Sequence, residues 1–457
     1  MPKVEKASVP TISTLRTIKN LIQFVRNPIP VLNQYSDQAG KTFLLPLGLN
    51  NKAMVTSDPE LIQYILQKNH RNYRKSHLQT EQLAHFIGRG LLTSNGEYWL
   101  RQRRLIQPGF HRTKLENLSE IILREIDSHL NQWDLNHIKE NGLDIFQETT
   151  ELTFNIVAKS LFSSDISKDI LIKLSDHFNH IQSFVAKLIR QPWLKRWFLV
   201  SGQWKRHEIL SKELKDIIRE IIQERRESGK RYDDLLDMLL DVRYEDTGEG
   251  MTLLQLIEES LILFIAGHET SANALGWTIY LLSQHPAIVE KIRKETHSVL
   301  EEKLPTFQSL PKLVYSNAVL QEAMRLYPPA WILDRVPIED DSFQGIALPK
   351  GRIIGLYIYG VHHNPSIWSD SEAFDPSRFD PEKIKDRHSF SYLPFGGGPR
   401  LCIGANFAMM EMTWFLIRFV QRFDFTLMEN QNIQMDPLIT LRPKNGVKIR
   451  LQHKMGS

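Results

Sequence analysis

Phe395-Gly-Gly-Gly-Pro-Arg-Leu-Cys-Ile-Gly404 holds the only cysteine of a 457-residue chain and sets it among glycines. A single thiol cannot close an internal disulfide, nor can it supply a four-cysteine zinc or iron–sulfur site. Cys402 is therefore either a small buried hydrophobe or one soft ligand or nucleophile. Its neighbours favour the ligand. Gly396, Gly397, Gly398 and Gly404 remove side chains where a backbone must approach something flat or bulky, and Pro399 stiffens the path. The apolar run 405–420 that follows is of helical length. Cys402 thus stands just ahead of a helix N-terminus, where free amides and the helix dipole are expected to lower a thiol pKa.

Phe395, Gly398, Arg400, Cys402 and Gly404 at this spacing resemble the haem-binding signature of the cytochrome P-450 family. The resemblance implies one large, mainly α-helical domain with a small β region. It implies haem b held non-covalently, with Cys402 as the thiolate ligand of its iron. The reaction it implies is insertion of one atom of dioxygen into a C–H bond of a hydrophobic substrate, fatty-acid-like or terpenoid. Electrons would come from a ferredoxin or flavodoxin with its reductase, since the chain ends too soon after its terminal strands for a fused flavin domain. Two alternatives stand beside this reading: a peroxide-using or peroxide-rearranging enzyme of the same fold, and a non-catalytic haem binder or sensor.

By length alone the chain admits one large domain or two or three ordinary ones. Hydrophobic residues make up 42% of the chain, ample for a core, and 57 Lys plus Arg against 53 Asp plus Glu leave a net charge of +4. So balanced a chain argues against a nucleic-acid binder. One cysteine suits a reducing cytoplasm. The N-terminal region has neither the roughly 18 apolar residues of a membrane span nor a signal-peptide pattern, so a soluble monomer is expected. The domain is expected over 35–452, between an N-terminal extension (1–34) and a short tail (453–457); within the extension, residues 16–25 could form a short amphipathic helix.

A second constellation sits in a long helix expected from Thr252 to about Gln284. Glu258 and Glu259 on one side and His268 and Glu269 on the other leave an apolar stretch too short to span a bilayer. Within the helix, Ala266-Gly-His-Glu-Thr270 puts an acid beside an alcohol after two small residues that would let a flat cofactor lie against the backbone. A mid-helix glycine costs roughly 1 kcal/mol relative to alanine, so Gly267 requires a reason. By the resemblance, Thr270 holds water and dioxygen, Glu269 passes protons to it, and Ala266 and Gly267 border the haem. A hydroxyl both donates and accepts while a carboxylate reloads it, as that chemistry requires. Taken alone, Thr270 could equally bond its own helix carbonyl and Glu269 face water. Branches of the family that tether haem through an ester carry glutamate where this chain has Ala266.

Trp99 and Arg103 are four apart on one expected helix face and could share a carboxylate; by the resemblance they are haem-propionate partners, as is Arg335. Arg101, Arg104, Arg112 and Lys114 nearby would then steer an acidic redox partner. Glu322 and Arg325 at i and i+3, joined by Arg378 from Phe374-Asp-Pro-Ser-Arg-Phe379, match the family's structural ion pairs. Pocket candidates are Phe86, Leu91 and Leu92 in a loop expected over 74–96, Phe264 on the long helix, Ala330, Ile332 and Leu333 in an extended segment, and Ile439 near the C-terminus. Two strands are expected in 42–57, joined at Gly48-Leu-Asn-Asn51, then a helix from Asp58-Pro59 to about Lys68. A helix is expected from Leu310-Pro311 and a strand over 351–359. The aromatic and basic stretch 190–204 is either a lid over the substrate channel or a surface that touches membrane.

Overall fold

The computed structural model describes residues 8–46, 52–163, 167–301 and 303–454. Helices dominate, with one mixed sheet against an edge of the helical body. The chain opens with α1 (Thr14–Lys19), α2 (Leu21–Arg26) and α3 (Pro28–Ala39), then β1 (Thr42–Pro46), β2 (Lys52–Thr56) and the short β3 (Tyr73–Arg74). The helical body holds α4 (Gly96–Ile106), α5 (Ile145–Phe162), α6 (Lys168–Arg190), α7 (Lys195–Val200), α8 (Gln203–Ser228), α9 (Leu253–Leu282) and α10 (Val314–Leu326). Then follow β4 (Leu333–Pro337), β5 (Ile354–Leu356) and α11 (Ala405–Arg422). The sheet runs β1-β2-β5-β4-β3, with β2 and β5 parallel and the other pairs antiparallel.

The axis of the body is α9. Thr252 caps it reciprocally with Gln255, satisfying two of the otherwise free N-terminal donors. Its residues are buried nearly all round, against α5, α8, α10 and α11. The cap, the uninterrupted apolar character and the lack of proline let thirty residues run as one helix.

Several sequence expectations change here. The expected start of the domain at residue 35 falls inside α3. Ile12 pairs its amide with Leu44, and Ile29, Val31, Leu32 and Tyr35 lie in one core cluster with Phe43 and Leu45, so the chain from about Thr11 is part of the fold. The expected joint at Gly48–Asn51 lies outside the described residues. The 74–96 region is no plain loop: Leu78–Leu83 and Ala84–Ile87 are helical turns. Leu310-Pro311 belong to a 3-10 turn, and the α-helix starts only at Val314. The strand expected over 351–359 is confined to Ile354–Leu356; at Tyr357 the chain turns into a helix, Ile358–His362.

The structural ion pairs form as expected. Arg325 grips Glu322 through two bonds, Nε to Oε2 at 2.7 Å and Nη2 to Oε1 at 2.8 Å, both side chains fully buried. Its other donors reach the carbonyls of His362 (2.8 Å), Ser371 (2.7 Å) and Ala373 (3.1 Å), and Arg378 approaches the same carboxylate at 3.3 Å. Arg325 therefore ties α10 to the segment that leads into the Cys402 loop.

Candidate active site

The loop before α11 is shaped by two left-handed glycines, Gly396 (φ 72°) and Gly398 (φ 67°). A Cβ on Gly398 would lie 1.9 Å from the carbonyl oxygen of Leu66, so only glycine lets the loop pass beneath that segment. The amide of Cys402 donates to Phe395 O at 3.0 Å and closes the loop. The thiol is exposed at its surface while protein surrounds it at longer range. That burial pushes its pKa up, and the Gly404 amide and the Arg103 guanidinium only partly offset it. The expected lowering by the helix terminus is thus outweighed in the protein alone; a thiolate here needs a further cation close to sulfur.

Around Cys402 the fold gathers cations. Arg103 Nη1 donates to Leu401 O at 2.9 Å. Arg400 lies over the ring of Trp99 at 4.1 Å and reaches Ser94 O (3.4 Å) and Asn95 Oδ1 (3.3 Å). Trp99 therefore stacks on Arg400, with Arg103 engaged by the loop backbone. Arg335 on β4 is buried and bonds the carbonyl of Asp334 at 2.6 Å. A fourth cation joins them. Lys75 is buried, anchored to Leu91 O (2.6 Å) and Leu92 O (2.7 Å), which leaves its third N–H uncommitted to those carbonyls.

Arg400 and Arg335 both depress Lys75, and Arg335 depresses Arg400, while burial lowers Arg335 itself. Burial lowers the Lys75 pKa well below its usual value and the Arg400 pKa to about 10, with Arg335 adding to both. Among the described residues none of the three closes an ion pair with a carboxylate; Asp334 Oδ1 instead accepts the Ser76 amide at 2.8 Å. Buried positive charge so clustered calls for an anion, and two carboxylates of a flat cofactor beside Cys402 would answer it. Nothing in the local sequence Arg74-Lys75-Ser76 marks Lys75 as more than a surface lysine, so sequence reading missed it.

On α9, Ala266 is exposed although most of the helix is buried, and Thr270 Oγ1 donates to Ala266 O at 2.9 Å. This is the back-bond that the sequence allowed. Glu269 does not face water. Its Oε1 accepts from Thr440 Oγ1 at 2.6 Å and from Gln182 Nε2 on α6, and Thr440 in turn accepts from Asn273 Nδ2 at 2.9 Å. Glu269 is thereby held by two segments distant in sequence. Asn273 lies one turn on from Glu269, while Gln182 and Thr440 reach it only through the fold.

Other expected site residues point elsewhere. A Cβ on Gly267 would meet Val157 Cγ2 at 3.0 Å, so this glycine lets α9 approach α5 and does not clear space for a cofactor. Phe264 is buried edge-on against Phe154 at 4.7 Å, on the α5 side. Phe86 is fully buried among Phe184 and Trp204. Apolar residues that pack core and those that line pockets are alike in sequence, and these three serve packing. Leu91, Leu92, Ala330, Ile332, Leu333 and Ile439 remain half-buried, as pocket-lining side chains would be. Of the basic residues near α4, Arg101 pairs with Asp246 at 3.0 Å and Lys114 with Asp233, so the expected patch is partly neutralised by the chain's own carboxylates.

This geometry, a lone cysteine on a glycine loop, a cluster of buried cations and a central helix bearing an acid–alcohol pair, is that of a haem-thiolate monooxygenase. The sequence matches the cytochrome P-450 family over residues 10–450, and the chain belongs to that family. It is 32% identical over 438 residues to a cytokinin hydroxylase of Arabidopsis thaliana, covering 93% of this chain and 83% of that one. It is 29% identical to cyclooctat-9-en-7-ol 5-monooxygenase of Streptomyces melanosporofaciens, covering 82% and 80%. Among solved structures it resembles retinoic acid-bound cyanobacterial CYP120A1 (TM-score 0.82, 26% identity, 95% and 96% covered). The cytochrome P450DA heme domain shares the fold at TM-score 0.88 with 22% identity, covering 98% of each chain. The protein is thus a monooxygenase that binds haem b non-covalently. Among the described residues no helix is long and apolar enough to cross a membrane.

Proposed function

We propose that this enzyme hydroxylates an elongated apolar substrate of fatty-acyl or terpenoid type, with electrons from a separate ferredoxin or flavodoxin. One observation carries the substrate class: the half-buried candidate lining, Leu91, Leu92, Ala330, Ile332, Leu333 and Ile439, is entirely aliphatic. Side chains of this kind select by shape and desolvation along a substrate's apolar length. Two similar proteins are named for isoprenoid-like molecules, cyclooctat-9-en-7-ol and retinoic acid, in keeping with this lining.

In this reading Cys402 holds the iron, and Lys75, Trp99, Arg103, Arg335 and Arg400 hold the propionates. Bound haem supplies the dioxygen-activating chemistry. The chain's part is to orient, to exclude water and to deliver protons. Phe395, Gly398 and Gly404 shape the proximal side, and Ala266 supplies a small surface on the distal side. Thr270 is positioned by its bond to Ala266 O, which commits its proton and leaves its oxygen free to accept one from water. Glu269 Oε1 ends the chain Asn273–Thr440–Glu269, so its carboxylate can take up a proton and pass it on while Thr440 holds its orientation. The acid–alcohol pair favours reductive use of dioxygen over peroxide chemistry.

The test is a titration of the holoenzyme with long-chain fatty acids and with sesqui- and diterpenoids, followed by the haem spin shift. Saturable shifts with one class and product formation with a redox chain are expected; shifts only with polar or charged aromatic compounds would refute the assignment. Turnover with hydrogen peroxide that matched the redox chain would favour the peroxide-using alternative. In a Cys402→Ser protein the red-shifted Soret band of the reduced CO complex should disappear.

A further inference from the structure

Glu259 on α9 is fully buried, yet neither the cofactor site nor the proton chain of Glu269 uses it. Its Oε2 accepts the amide of Leu91 at 3.1 Å, and its Oε1 has no hydrogen-bond partner among the described residues. Burial pushes its pKa up to about 7, against the Leu91 amide and Lys75, which both favour the ionised form. So costly a place for an acid requires a reason, and the loop that it holds supplies one.

That loop, residues 88–94, is built to come close to α9. A Cβ on Gly90 would lie 2.5 Å from Glu259 Oε2 and 2.8 Å from Ile262 Cδ1, and one on Gly88 (φ 89°) 2.5 Å from Glu258 Cγ. Glycine lets the backbone settle on these side chains. The buried Thr93 and Ser94 tie the loop to itself, Thr93 Oγ1 donating to Gly88 O at 2.7 Å and Ser94 Oγ to Gly90 O at 2.6 Å. Leu91 stands at the centre. Glu259 holds its amide, Lys75 Nζ holds its carbonyl and that of Leu92, and both leucine side chains are half-buried candidates for the pocket lining. Glu259 also precedes Ala266 by seven residues, almost two whole turns. The two therefore share a side of α9, about 10 Å apart along its axis, and the loop hangs beside the space above the cofactor.

We propose that Glu259 is a positioning residue: it latches residues 88–94 onto α9, so that one peptide unit, Leu91, sets both a seat for the substrate's apolar length and the placement of Lys75 toward the cofactor's carboxylates. The claim rests on the reading of Leu91 and Leu92 as pocket lining. Without the latch the loop keeps its internal bonds and loses its bearing on α9. Long ligands that reach Leu91 and Leu92 then lose part of their seat, whereas a small ligand on the iron does not. An amide in place of the acid still presents an oxygen to the Leu91 amide, so glutamine keeps the latch and leucine removes it.

The experiment compares Glu259→Leu and Glu259→Gln with the parent holoenzyme, each shown intact by its CO spectrum. Hydrogen–deuterium exchange reads the latch without any substrate: peptides covering 88–94 should exchange about tenfold faster in the leucine protein and at the parent rate in the glutamine protein. Spin-shift titrations with dodecanoic acid and with geranylgeraniol should show affinity lowered about tenfold by leucine and less than about twofold by glutamine, with imidazole binding to the iron unchanged in both. Haem transfer to apomyoglobin should quicken severalfold in the leucine protein alone. If that protein holds no haem, Gly90→Ala, whose Cβ would displace Glu259 Oε2, takes its place. Unchanged exchange would overturn the latch. Faster exchange with undiminished affinity for the long ligands would overturn its role in the substrate seat, and unchanged haem transfer its role toward Lys75. Equal losses in the glutamine protein, or an equal weakening of imidazole, would refute positioning through the bond to Leu91. Should neither long ligand shift the parent's spectrum, the substrate reading fails instead, and exchange and haem transfer still decide the latch.

Discussion

Replacing Arg325 by leucine should cost this protein most of its stability while leaving the chemistry of Cys402 untouched in whatever folds. The structure sets the magnitude. Arg325 and Glu322 are both fully buried and joined by two short bonds, so removing the cation leaves a carboxylate facing only the Asp375 amide (3.0 Å) and Arg378. Breaking a buried pair in this way costs about 3–5 kcal/mol. The carbonyls of His362, Ser371 and Ala373 lose donors as well, at roughly 1 kcal/mol or more each. The sum, about 6–8 kcal/mol, is comparable with the whole stability of an ordinary domain, about 5–15 kcal/mol. Urea unfolding of the holoenzyme followed by circular dichroism, at fixed haem occupancy, reads the loss. The exposed pair Lys385–Glu382 is the control, and its removal should cost under about 1 kcal/mol. An Arg325→Leu protein within about 1 kcal/mol of its parent would refute the reasoning, since the bidentate pair would then carry no more than a surface bridge.

Gly398→Ala should give a chain that retains haem poorly, because its Cβ meets a backbone carbonyl at 1.9 Å and its φ of 67° is left-handed; pulled-down haem content reads this, and Gly404→Ala, whose Cβ has only an ordinary 3.7 Å neighbour, should be milder. Thr270→Ala should preserve substrate binding and divert electrons into hydrogen peroxide, measured as product per reduced cofactor consumed. Thr440→Val should weaken coupling less, since Gln182 still donates to Glu269. Glu411 on α11 is buried without a hydrogen-bond partner for either oxygen among the described residues. Ser271 lies close enough to ease ionisation slightly, and burial pushes the carboxyl pKa up from 4.5 to about 8. The folded state then keeps a proton that the unfolded chain releases, so this group's contribution to stability declines as pH rises from about 4.5 to about 8. Glu411→Gln should flatten that part of the stability–pH curve; an unchanged slope would exclude Glu411 as its source.

What could be read from sequence was whatever short range dictates. The Cys402 loop is local, and two of its glycines, Gly396 and Gly398, have a local reason in their positive φ. The long helix carries its own cap and its own periodicity, and Glu322 and Arg325 are one turn apart. What could not be read depends on which chain segments meet. Lys75 looks like surface until two carbonyls from 91 and 92 hold it beside Arg335 and Arg400. Glu269 looks like a solvent-facing acid until Gln182 and Thr440, each more than eighty residues away, close over it. Gly267 shows the difference most clearly. A mid-helix glycine does need a reason, and there is one, but it is the methyl groups of Val157 on α5. Ala266, one position earlier and a hundred degrees around the helix, is the residue that the fold leaves exposed. The motif thus spans two faces of α9, and its small residues serve two ends. Substituting Gly267 should separate the helices and destabilise the body, whereas enlarging Ala266 should leave the body intact and obstruct the space above the cofactor.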